Sequence, residues 1–121
     1  MNKDASYRKG LLAEAACEAF LRVKGYQILA RRYKTRVGEV DIVARQGEVL
    51  VFVEVKARRN LCDALEAVSP KAQARIANAA RMFLAENQNM AHLMVRFDVM
   101  AVTRFGIPAH TCDAWQCEGE W

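Results

Sequence analysis

Glu39, Asp41, Glu54 and Lys56 are the residues of this chain whose types and spacing could do chemistry together. They lie on two short segments that read as strands. Residues 39–45 alternate charge with β-branched side chains, and residues 48–58 place Val49, Val51, Val53 and Val55 on one face. Arg45-Gln46-Gly47-Glu48 between them reads as a hairpin turn, because glycine accepts a positive φ. With Gln46-Gly47 as the two-residue loop, Asp41 faces Phe52 and Glu39 faces Glu54. Asp41 and Glu54 then become diagonal neighbours, about 7–8 Å apart at the backbone. Lys56 shares their face, and Val40, Ile42, Val51, Val53 and Val55 form the opposite, core-facing one.

Two carboxylates aimed at one point repel each other and raise a pKa unless a cation sits between them. Mg²⁺ or Mn²⁺ fits, since hard cations take carboxylate oxygen and keep several waters. Such an ion makes water a better nucleophile and steadies charge on a phosphoryl group, while the Lys56 ammonium orients the water or stabilises the phosphorus. The chemistry is phosphodiester hydrolysis. The competing reading is a solvated sheet face on which Glu and Lys form cross-strand pairs. Two features stand against it. The basic run Arg31-Arg32-Tyr33-Lys34-Thr35-Arg36 immediately precedes the first strand, and a helical crossover after the second places that strand centrally.

Around this pair the chain reads α, three strands, α, strand and a last short strand. Residues 5–24 form an amphipathic helix that directs Leu11, Leu12, Ala15, Ala16, Ala19, Phe20 and Val23 to the core, with Asp4 or Ser6 as cap and Gly25 as stop. Residues 26–33 form a strand. Ser69-Pro70 opens a second helix reaching about Glu86, with Ser as N-cap and Pro at the first helical position. Residues 95–103 and 111–116 are strands, and residues 61–66 are ambiguous. A helix between the third and fourth strands implies a parallel crossover, so the fold is α/β with a mixed central sheet flanked by helices.

The chain has 121 residues, 53% hydrophobic and 26% charged, which fits one compact domain and excludes a disordered or fibrous one. Its longest apolar run, residues 49–53, is far too short to cross a bilayer, and no export signal precedes the first helix. The expectation is a cytoplasmic protein with reduced cysteines and no membrane partner. The net charge of +4 is uneven. Residues 1–36 hold nine basic against three acidic side chains, whereas residues 37–90 balance. A polyanion such as nucleic acid explains this excess, with Arg31, Arg32, Lys34 and Arg36 on phosphates; a merely solvated surface is the alternative. His110, Cys112 and Cys117 fit no usual zinc spacing, so no zinc is expected.

Gly38-Glu39-Val40-Asp41-Ile42-Val43-Ala44, followed by residues 51–58 (Val-Phe-Val-Glu-Val-Lys-Ala-Arg), closely resembles the YraN-type family of small bacterial proteins. Gly10-x-x-x-Glu14, Leu21, Gly25-Tyr26, Ala67–Lys71, Arg96–Val99 and Asp113-Ala114-Trp115 extend the match over nearly the whole chain. That family is similar to archaeal Holliday junction resolvases of the PD-(D/E)xK superfamily, which implies a restriction-endonuclease-like fold. The resemblance implies that Asp41 and Glu54 bind metal, that the Val55 carbonyl is a third metal oxygen, and that Lys56 is the superfamily lysine. It implies that Glu14 binds the metal directly or through water, and that Glu39 supports the site. Arg58 and Lys71 join the nucleic-acid contacts. Asp98 is expected to pair locally with Arg96 or Arg104. The implied activity is metal-dependent cleavage of branched or structured DNA, and junction cutting would call for a homodimer. The alternative is a non-catalytic nucleic-acid-binding accessory module. The chain departs from the family pattern at Arg32, at Val37 and in the short, glycine-free stretch 60–65, all beside the expected substrate groove.

Overall fold

The structure is a computed structural model that describes residues 3–103 and 106–117, with side chains from residue 5 onward. Its elements are α1 (Lys3–Val23), β1 (Gln27–Lys34), β2 (Glu39–Gln46), β3 (Val49–Ala57), α2 (Leu61–Ala67), α3 (Pro70–Glu86), a short 3₁₀ turn (Gln88–Met90), β4 (Met94–Val102) and β5 (Pro108–Trp115). The five strands form one sheet in chain order, antiparallel except for the parallel β3–β4 pair. This is a mixed α/β architecture consistent with the restriction-endonuclease-like fold.

The ambiguous stretch 61–66 is helical. Asn60 caps α2 by accepting from the Asp63 N–H at 2.8 Å. Ser69 caps α3 by accepting from the Ala72 N–H at 3.1 Å, with Pro70 at the first helical position as expected. Helices α2 and α3 together span the crossover from β3 to β4.

Both sheet faces are buried, which corrects the expectation of a single core face. On one side Cys17 and Leu21 of α1 pack with Ile42, Ala44, Val51, Val53 and Met100. On the other, Ile76, Ala80 and Phe83 of α3 pack with Val43, Leu50, Phe52 and Val99. Aromatic rings run across that second face. Tyr33 meets Phe83 edge-on at 5.5 Å, Phe83 meets Phe52 at 5.9 Å, Phe52 meets Phe97 at 5.9 Å, and Phe97 stacks on Trp115 at 5.2 Å. Each contact contributes about 0.5–1.5 kcal/mol beyond its buried area, so the series ties β1 to β5.

Helix α1 is rotated from the expected orientation. Its buried stripe is Ala13, Cys17 and Leu21, whereas Leu12 and Val23 are largely exposed. The helix already runs through Asp4 and Ser6, so neither caps it, while Gly25 follows its end with φ 93° as expected.

The β1–β2 loop is fastened to α3. Thr35 Oγ1 accepts from the Val37 and Gly38 N–H groups at 3.1 and 3.0 Å, and Asn78 donates to the Val37 carbonyl at 3.3 Å. A Cβ on Gly38 would lie 1.8 Å from the Arg75 carbonyl oxygen, so only glycine permits this approach. Gly38→Ala should therefore destabilise the protein by at least about 1 kcal/mol, read as a lower urea midpoint. An unchanged midpoint would mean that the loop does not pack on α3.

Candidate active site

The site begins where β2 parts from β3. The hairpin register is Gln46↔Val49 through Ile42↔Val53, two residues away from the expected pairing. The loop is Gly47-Glu48, with the positive φ (59°) on Gly47 at its first position. A turn with glycine leading matches strand twist, which is why the loop starts one residue later than a reading with glycine second. The shift of two preserves faces but would bring Asp41 opposite Glu54 instead of diagonal to it.

Regular pairing stops at Ile42↔Val53, while β1 continues to pair with β2 as far as Lys34↔Glu39. Beyond the stop, Asp41 Oδ2 accepts the Val55 N–H at 2.8 Å. A carboxylate thus takes the place of a ladder carbonyl. Side-chain alternation breaks at the same point. Val40 and Val43 both pack on the α3 side, although strict alternation would separate them, while Ile42 and Ala44 turn toward α1. The expected grouping of Val40 with Ile42 is therefore corrected. Two strands that splay at a carboxylate form a fork, and the fork holds the acids.

Glu54 faces Asp41 within this fork and is pushed up from its ordinary 4.5 to about 9, by burial first and then by the Asp41 charge and hydrogen bond, with Lys56 opposing. Lys56 Nζ lies 3.6 Å from Glu54 Oε2. A half-buried acid pair with one ammonium beside it is short of positive charge. The donors are hard oxygens, so the set fits Mg²⁺ or Mn²⁺. Asp41 and Glu54 would hold such an ion, together with the Val55 carbonyl.

Glu14 reaches the same region from α1. It lines a cleft of about 170 Å³ with Asp41, Glu39, Lys34 and Arg32. Its carboxylate is gripped bidentately by Arg32, through Nε at 2.9 Å and a terminal nitrogen at 3.0 Å. Arg32 holds a left-handed backbone (φ 47°) and stacks on Tyr7 at 5.0 Å. Arg31 meanwhile bonds the buried Glu18 at 2.5 Å. Arg32 therefore stands in the wall of the cleft, whereas Arg31, expected beside it on phosphates, pairs with Glu18 outside the cleft lining and keeps an exposed side chain. Glu18 escaped the sequence reading, although its position one turn beyond Glu14 places both acids on the helix face opposite Arg31-Arg32. Cys17, between them, is pushed up to about 12 by burial first, then by Asp41, Glu14 and Glu18.

The remaining expected contacts lie elsewhere. Arg36 is exposed in the β1–β2 loop, Lys71 is exposed in the first turn of α3, and Arg58 lines a larger cavity beyond the end of β3. Asp98 does pair with Arg96, which donates to both its oxygens at 2.8 Å. Arg104 lies outside the described residues. Asp98 is fully buried, and burial raises its pKa, but hydrogen bonds from His110, Arg96 and the Asp113 N–H outweigh this and hold it below the usual carboxylate range. His110 and Cys112 converge on it, with ligand atoms of the three residues within 4.8 Å of one another; Asp98, rather than Cys117, completes that trio. Arg96 occupies both Asp98 oxygens and Lys24 donates to His110 Nδ1 at 2.8 Å, so two cations already surround it.

The mixed sheet, its flanking helices and the forked β2–β3 hairpin are consistent with the restriction-endonuclease-like fold class. Within that class the chain belongs to the family described as "Uncharacterised protein family UPF0102", the YraN family, whose model matches residues 13–102. It is 49% identical to a UPF0102 protein of Rhizobium etli (strain CIAT 652) over 108 residues, covering 89% of this chain and 88% of that one. It is 43% identical to a UPF0102 protein of Mesorhizobium japonicum, covering 94% and 91%. It is 47% identical to one of Nitrobacter winogradskyi, covering 92% and 94%. No helix among the described residues is long and apolar enough to cross a membrane.

The raised Glu54 pKa has a consequence for stability. The folded state holds the Glu54 proton more tightly than the unfolded chain does. In metal-free solution its contribution is complete below pH 4.5 and is lost as pH rises toward about 9. Glu54→Gln keeps the shape and cannot ionise, so it should flatten this fall in urea midpoints measured with EDTA. An identical pH slope in both proteins would contradict a protonated Glu54.

Proposed function

We propose that this protein is a metal-dependent endonuclease that hydrolyses phosphodiesters in structured or branched DNA. The observation that carries the reading is the fork: Asp41 fixed by the Val55 N–H, with Glu54 facing it and Lys56 alongside. A solvated sheet face does not explain two half-buried acids turned toward each other.

Mg²⁺ or Mn²⁺ bound by Asp41 and Glu54 would activate the attacking water and neutralise charge developing on the phosphoryl group. The chain's own residues do the rest. The Val55 N–H holds one Asp41 oxygen, which leaves the other for the ion. Lys56, paired with Glu54 at 3.6 Å, carries the cation that steadies the phosphoryl oxygens once the Glu54 carboxylate is engaged. Arg32 holds Glu14 at the wall of the cleft that Asp41 also lines. Lys34 lines the cleft beside Asp41, and among the described residues no ion pair occupies it, so it is the first cation a phosphate would meet.

Asp41→Asn and Glu54→Gln should each lower Mn²⁺-dependent cleavage of supercoiled and four-way-junction DNA by at least about 100-fold, with the fold intact by circular dichroism. Cleavage at wild-type rate by both variants would refute the site.

The guanidinium pairing separates the cations that bind DNA from those that build the site. Lys34→Ala and Arg36→Ala should each reduce the salt dependence of DNA binding by about one unit of slope, whereas Arg31→Gln should leave it unchanged. The reverse order would return Arg31 to the phosphates.

A further inference from the structure

A cavity larger than the cleft at Glu14 lies beyond the fork, at the carboxyl ends of the parallel pair β3–β4, where Ala57 and Val102 are register partners. It measures about 530 Å³, within the range of about 300–1,000 Å³ typical of small-molecule sites. Carboxyl ends of parallel strands are where open α/β sheets take ligands. The cavity walls are short and apolar: Leu12 and Ala16 from α1, Ala57 from β3 and Val102 from β4. Lys9, Arg58 and Arg59 stand around it, and the single acid, Asp63, is paired with Arg59 at 3.6 Å. No ion pair takes up Lys9 or Arg58 among the described residues, so the cavity combines an apolar interior with uncompensated positive charge. It also adjoins the fork. Ala57 and Arg58 directly follow Lys56 on the strand, and Ala13, which also lines it, directly precedes Glu14.

Resting on the reading of the fork as a phosphodiesterase centre, we propose that this cavity receives one unpaired nucleotide next to the phosphate to be cut. A base has a flat apolar body that fits between aliphatic walls and a guanidinium plane, and its sugar is flanked by phosphates that suit Lys9 and Arg58. A base within a stacked duplex cannot enter. The substrate class thereby narrows to strands with an unpaired nucleotide at the cut, such as a bulge, a gap or a junction crossover. Extruding a nucleotide is least costly where pairing is already interrupted.

The test is fluorescence anisotropy in EDTA with two duplexes of one sequence, fully paired or carrying a single unpaired nucleotide, alongside Mn²⁺-dependent cleavage of both. The wild type should bind the bulged duplex about tenfold more tightly. Ala16→Phe, which fills the cavity, should bring the two affinities together. Leu12→Asp does the same from a largely exposed position that does not threaten folding. Equal binding of both duplexes by the wild type, or a preference that survives in Leu12→Asp, overturns the proposal. If cleavage occurs without any preference, only the cavity assignment falls. If the preference is present but no metal-dependent cleavage occurs, only the hydrolytic reading falls. If neither duplex binds, both fall.

Discussion

The hydrogen bond from the Val55 N–H to the Asp41 carboxylate, 2.8 Å long, is the interaction on which the rest of the site depends. A sheet buried on both faces cannot leave a strand N–H without a partner. Ordinarily the neighbouring strand's carbonyl would meet that need. Here a side chain does, which lets β2 leave β3 without stranding the Val55 donor. The splay draws Asp41 and Glu54 together within an otherwise apolar sheet. The same bond orients the Asp41 carboxylate, so its position follows from backbone geometry instead of rotamer preference.

The charges around the fork form layers. Glu54 and Asp41 repel at the centre, with Lys56 beside them. Glu14 and Glu18 sit one helical turn apart on α1 and are held by Arg32 and Arg31. Arg22 adds a weaker contact to Glu18 at 3.8 Å. Arg31 and Arg32 are therefore engaged in docking α1 on β1, whereas no ion pair takes up Lys34 or Arg36 among the described residues. Net charge alone would have counted all four basic residues of 31–36 as equivalent. The run instead divides into two paired guanidiniums, Arg31 and Arg32, and two cations outside any ion pair among the described residues, Lys34 and Arg36.

How legible this was in the sequence depended on the kind of signal. Ser69-Pro70 and the β-branched alternation of β3 are local and strong, and both stand where they were expected. The resemblance around Asp41 and Glu54 led to the correct family and fold class. The hairpin register failed by two residues because glycine can occupy either position of a two-residue loop, and the sequence does not choose between them. Helix α1 misled because alanines surround it on most sides. Leu11 and Leu12 outweigh the truly buried Ala13 and Cys17 in any apolar count. Glu18, which the sequence reading did not single out, is buried where an arginine from β1 meets it, and helical periodicity carries no information about a partner thirteen residues away. The pairing of Arg32 with Glu14 was invisible to it for the same reason.

The central claim is that Asp41 and Glu54 form one divalent-cation site whose ligands include an acid that is protonated in its absence. Calorimetric titration of Mn²⁺ in buffers of differing ionisation enthalpy measures binding and proton release together. The account predicts one ion per chain with about one proton released at neutral pH, and loss of both in Asp41→Asn. Mn²⁺ binding that is undiminished in Asp41→Asn and in Glu54→Gln would contradict it.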